Sequence, residues 1–147
     1  AGMMSRIVLE AETSPFLETA PYASRTPSIA EAIARGASNT AREIGARYIV
    51  AFTESGQSAM TVSLARPSVP VIAFSPNAKA RRRMALFWGV VPREMPPMHE
   101  PDALVDWCTA DLSASGRASP GERVVIVFGA PIGVSGSTNS IRVHVIA

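Results

Sequence analysis

The 147-residue sequence has one cysteine, two histidines, a single lysine and no apolar run long enough to cross a bilayer. Each scarcity removes a class of function. With Cys108 alone no intrachain disulfide can form, and a reducing cytoplasm is the natural setting. His99 in a proline-rich loop and His144 near the end are the only imidazoles, which leaves little to serve a serine nucleophile as a base. The opening AGMMSRIVLEAE carries charges where a signal peptide keeps its apolar stretch, so neither export nor a membrane is expected. Formal net charge is only +2, and thirteen of the fourteen basic residues are arginine, which favours discrete bidentate contacts over a diffuse positive field. No nucleic-acid partner is expected. What is present, 47% apolar and 18% charged residues, is the balance of a globular protein with one packed core. A chain of this length buries roughly two thirds of its unfolded surface and needs no staple.

Met3, Met4, Ile7, Val8 and Ala11 recur at helical spacing, and TSPFLETAPYASRTP then carries three prolines. Residues 1–26 therefore read as a leading helix and an extended linker, and residues 27–147 as an α/β domain. Ser28 precedes IAEAIARGASNTAREIGA, an alanine-rich helical run with Ile29, Ile33, Ala37 and Ile44 near one face and Gly36 as a weak spot. Three short apolar runs follow, each leading through turn residues into a helical segment: YIVAF into GQSAMTVSLAR, VPVIAF into NAKARRRMALFWG, and GVVPREM into DALVDWCTADLSAS. Strands that alternate with helices make parallel βαβ units. RVVIVFG and SIRVHVIA then come with no helix between them, which predicts an antiparallel final strand on an otherwise parallel sheet. There is no internal repeat.

Three segments could carry chemistry. Thr53, Ser55, Gly56 and Ser58 fall where the first strand gives way to a helix, the place where open α/β sheets gather ligands. Free backbone N–H groups and hydroxyls there can seat a phosphate, and a glycine lets backbone come close. Plain capping of the helix by Ser55 is the commoner use of such residues. A serine nucleophile is the weakest alternative, because Gly56-Gln57-Ser58-Ala59-Met60 lacks the second glycine of the G-x-S-x-G elbow. FGAPIGVSGSTNS, residues 128–140, is an uncharged glycine-rich loop that can wrap an anion or merely connect two strands. ARRRMALFWG offers three successive arginines, which point in different directions on a helix and read as a solvated face with one or two contacts. Trp88 and Trp107 read as core or interface aromatics, and Cys108 as packing.

The order of these segments resembles the carboxy-terminal domain of pyruvate kinase. The resemblance runs from MMSRIVLEAE to Ala147 and rests on the T-x-S-G-x-S turn, the arginine-bearing segment ending in W-G-V-x-P, and the G-x-T-N-like closing loop. It implies a three-layer α/β/α domain with a five-stranded mixed sheet, mostly parallel, the last strand antiparallel. It also implies a regulatory and oligomerisation role beside a catalytic barrel, with Mg²⁺ and K⁺ needed only in that barrel and no catalytic residue, cofactor or metal site in this chain, which alone would be inactive. The effector phosphate would sit on Thr53, Ser55, Gly56, Gln57 and Ser58. Gly133, Val134, Ser135, Gly136, Ser137 and Thr138 would be the loop that folds over it. Gln57 stands where many members place lysine or arginine, and the helix around Leu104 lacks the arginine of a bisphosphate-activated subgroup, so a monophosphate effector, or a site without its regulator, is expected. Homotetramers are typical of the family, and a symmetric dimer contact is expected near the last strand. The alternative is a free-standing doubly wound module that binds a phosphometabolite or signals.

Overall fold

The structure is a computed structural model that describes residues 26–134 and 136–147. The leading helix expected over residues 3–12 and Ser135 of the closing loop lie outside the described residues. The first described helix, α1 (Ile29–Ile44), begins with a capping box: Ser28 Oγ accepts from the Glu31 N–H at 3.2 Å, and the Ser28 N–H donates to Glu31 Oε2 at 3.0 Å. It ends on Gly45 in the left-handed conformation, φ 64°.

Beyond it the chain alternates: β1 (Tyr48–Phe52), α2 (Gln57–Leu64), β2 (Val71–Ser75), α3 (Ala78–Met84), β3 (Val90–Glu94), α4 (Pro101–Ala114), β4 (Arg123–Gly129) and β5 (Thr138–Val145). The five strands form one sheet in the order β3-β2-β1-β4-β5, parallel except for the antiparallel β4–β5 pair. β1 and β2 are buried at every position, because helices cover both faces. Successive side chains alternate between two cores. Ile49 and Ala51 of β1 pack with Ala34, Ala37 and Ala41 of α1, with Ala59 and Val62 of α2, and with Met84 of α3. Tyr48, Val50 and Phe52 pack with Leu104, Val105, Cys108 and Leu112 of α4. The architecture is therefore a three-layer α/β/α domain, with α1, α2 and α3 on one face and α4 on the other.

Two sequence expectations change in detail. Ile29 does not join the apolar face of α1; it is 72% exposed, and the fully buried face is made of alanines. Small residues there let the helix lie close on the sheet, and Gly36 serves the same end: a Cβ at that position would stand 3.2 Å from Ile141 Cδ1 of β5. The weak helix former thus leaves room for a close contact with β5. The helix expected through ARRRMALFWG stops at Met84, and Arg66 lies over the Trp88 ring at 4.6 Å beyond its end. Of the three arginines, Arg81 donates to the Ser75 carbonyl at 2.8 Å and meets Glu94 at 3.7 Å, while Arg82 and Arg83 are exposed.

On the opposite face, Arg93 of β3 grips Asp111 of α4 through two bonds of 2.7 and 2.9 Å. The hydrogen bond and the charge of Asp111 raise the pKa of Arg93 against the opposing effect of burial. Cys108, on the buried side of the same helix, has its thiol pushed up to about 12, first by burial and then by the nearby Asp111 carboxylate. It is a packing residue with no thiolate character. Among the described residues no helix is long and apolar enough to cross a membrane.

Candidate functional site

From β1 the chain moves outward through β2 to β3, then returns to place β4 on the other side of β1. That reversal opens a crevice beyond the carboxyl ends of β1 and β4, the position where doubly wound sheets bind ligands. A cleft of about 530 Å³ lies there, lined by Phe52, Thr53, Glu54 and Ser58 from the first strand–helix turn and by Phe128 and Gly129 from the end of β4. The described residues of the 132–137 loop, residues of the 95–99 segment, and Pro76, Asn77 and Leu104 complete its walls.

The turn is held by its own hydroxyls. Thr53 Oγ1 accepts from the Gly56 N–H at 2.9 Å, and Ser55 Oγ accepts from the Gln57 N–H at 3.4 Å. The residue at the cap of α2 is Gly56, with φ 90° and no side-chain cap, so Ser55 does not fill the capping role. A Cβ at Gly56 would approach Met84 Cγ to 3.1 Å, so α3 packs against the turn from behind and requires the glycine twice over, for space and for conformation. The first-turn N–H groups of α2 have no intrahelical acceptors, as at any helix start.

The closing loop reaches this turn. Thr138, the first residue of β5, is buried, and its hydroxyl is hydrogen-bonded to that of Ser58, 80 positions earlier. Asn139 ties the two ends of the loop together: its Nδ2 donates to the Ala130 carbonyl at 2.8 Å and its Oδ1 accepts from the Ala130 N–H at 3.0 Å. Within the loop Ser137 Oγ donates to the Val134 carbonyl at 2.7 Å.

The residues singled out in the sequence therefore divide. Thr53, Ser58, Gly133, Val134, Gly136 and Ser137 line the cleft, and Thr138 stands behind it. Ser55 and Gly56 shape the turn without lining the cleft. Gln57 faces a second groove, shared with Ser28, Glu31 and Thr61 and with the outer side of the 136–139 stretch. Absent from the sequence-derived set are Glu54, Asn77, Met95, Met98 and His99, all on the lining. Most follow the carboxyl ends of β1, β2 and β3, so the strand-end rule applied to each strand would have found them. Among the described residues the lining carries one carboxylate, Glu54, one imidazole, His99, and neither lysine nor arginine. Among the described residues no three histidine, cysteine or carboxylate side chains group to hold a metal ion.

Residues 31–144, which include the turn, the closing loop and most of β5, match the family described as pyruvate kinase, alpha/beta domain. The chain belongs to that family. Annotated pyruvate kinases similar to it include one from Agrobacterium vitis, 36% identical over 99% of this chain and 31% of the relative's length. A pyruvate kinase of Corynebacterium glutamicum is 35% identical over 97% of the chain and 30% of its own length. One from Geobacillus stearothermophilus is 38% identical over 82% of the chain and 20% of its own length. The chain thus spans between a fifth and a third of the length of these relatives. For the pyruvate kinase alpha/beta domain, the match places Thr53, Ser58 and Thr138 inside the family's own boundaries.

Proposed function

We propose that the chain is the regulatory and assembly portion of a pyruvate kinase, a cytoplasmic glycolytic enzyme that transfers a phosphoryl group from phosphoenolpyruvate to ADP. Its own task is to bind a phosphorylated small molecule in the cleft between the 53–58 turn and the 133–138 loop. The observation that supports this most is the buried Ser58–Thr138 hydrogen bond, which joins two distant polar segments at one crevice. An anion against Thr53 and Ser58 meets hydroxyls and the positive end of α2, whose first-turn N–H groups have no intrahelical acceptors. A second phosphate would find Glu54 and, among the described residues, no lysine or arginine on the lining, so the arrangement suits a phosphomonoester.

Melting of the purified chain with phosphate, ribose 5-phosphate and glucose 6-phosphate tests the reading. At a hundredfold excess over Kd, binding to the folded state alone adds about 2.7 kcal/mol. Ser58→Ala is expected to weaken the same ligand by about tenfold, since it removes a hydroxyl donor and the link to Thr138. A wild-type curve unmoved by all three compounds would leave the cleft without a phosphate function.

Assembly rests on a separate feature. β5 is an edge strand, and Val143 and Val145 on it are 48% and 53% exposed. An edge that offers unpaired backbone groups beside apolar side chains invites a second copy, and a two-fold axis makes the contact self-complementary. Sedimentation over a concentration series is expected to show a monomer–dimer equilibrium that Val143→Lys shifts toward monomer. A dimer indifferent to that change would put the contact elsewhere.

A further inference from the structure

The lining of the cleft has a charge problem for any anion. Among the described residues its only carboxylate is Glu54, and no lysine or arginine faces it. Among the described residues, the one side chain on the lining that can carry positive charge is His99, which belongs to the segment between β3 and α4 and is exposed, so its ring is not committed to a core. The ring is also placed against the closing loop. At Gly133, φ 91°, a Cβ would stand 3.5 Å from His99 Nδ1 and 3.6 Å from Cε1. The imidazole thus lies where the wall of the cleft meets the loop, with Nδ1 and Cε1 beside Gly133. None of the described hydrogen bonds employs it.

We propose that His99 is a direct ligand contact, donating an imidazole N–H to the charged group of a phosphomonoester in the cleft while its ring holds the loop at Gly133 in place over that ligand. The inference rests on the cleft being the phosphate site. It assigns to a residue between β3 and α4 the cationic role that Gln57, turned into the other groove, cannot fill.

The test compares His99→Ala and His99→Gln with wild type by calorimetric titration with ribose 5-phosphate, and with inorganic phosphate as the minimal probe. An exposed position leaves stability intact, so the unliganded melting temperature of both variants should match that of wild type. His99→Ala is expected to weaken ribose 5-phosphate by about tenfold or more, the usual loss for a hydrogen bond to a charged group. His99→Gln keeps an N–H donor and should recover part of that loss, which a purely steric role of the ring would not predict. Equal affinity in His99→Ala and wild type would overturn the assignment while leaving the phosphate site standing. If wild type binds neither probe, the phosphate site itself fails and the assignment falls with it.

Discussion

Replacing Phe74 with alanine is expected to lower folding stability by about 3–5 kcal/mol, the range for removing a large aromatic from a closed core. Phe74 is fully buried at the end of β2. Its ring stacks on Phe52 with centroids 5.8 Å apart and meets Trp107 edge-on at 5.2 Å, so it joins the neighbouring strand to α4. Removing it takes away both aromatic contacts and leaves a hole that the surrounding strands, hydrogen-bonded on each side, cannot close. The damage also reaches function, because Phe52 and Leu104 are packed in the same core and line the cleft. Urea denaturation should show the loss as a lower midpoint with an unchanged slope. Phe74→Leu, which keeps most of the volume, should cost less than about 1.5 kcal/mol. A small loss in the alanine variant would mean that α4 can settle onto the sheet, and that the wall it forms is softer than its packing suggests.

The strands were legible for the same reason that Phe74 is costly to remove. A sheet covered on both faces needs apolar residues at every position, so YIVAF, the core of VPVIAF and RVVIVFG stand out without any periodicity. Their order was legible from the helices between them, and the missing helix before SIRVHVIA marked the antiparallel strand. Less visible was how closely layers approach. Ile29 looked like a core residue because it shares a face with Ile33, yet the helix begins there beyond the sheet, and alanines make the contact. Gly36 carried a propensity signal that pointed to weakness, whereas the need for it comes from Ile141, more than a hundred positions away.

The candidate site shows the same division. Hydroxyls and glycines at a strand–helix turn are a local signal, and so is a glycine-rich loop. That the two meet through Ser58 and Thr138 is a tertiary fact. Gln57 and Ser58 are neighbours in sequence but open into different grooves, because a helix turns its successive side chains by about a hundred degrees. His99, Met95 and Met98 lie in a proline-rich stretch with no period to read, and only the path of the chain after β3, which leads back past β2 toward the ends of β1 and β4, delivers them to the cleft.

Gly129→Ala is expected to cost about 1–3 kcal/mol and to weaken ligand binding in the cleft by more than tenfold, through steric pressure on the closing loop. Gly129 ends β4 opposite Thr138, where the register of the antiparallel pair shifts by a bulge. A Cβ there would stand 2.8 Å from the backbone carbon and carbonyl oxygen of Ser137. Backbone cannot rotate aside as a side chain can. Ser137 must move, and Thr138 moves with it, breaking the hydroxyl pair with Ser58 that closes the cleft. Gly136→Ala is the control, since a Cβ there meets nothing within 4 Å and the cost comes only from its φ of 74°, about 1–2 kcal/mol. The two variants should therefore lose comparable stability but differ in binding, with ribose 5-phosphate affinity falling further in Gly129→Ala. Equal affinity in the two would show that the loop tolerates displacement at its base, and that the Ser58–Thr138 bond does not govern access to the cleft.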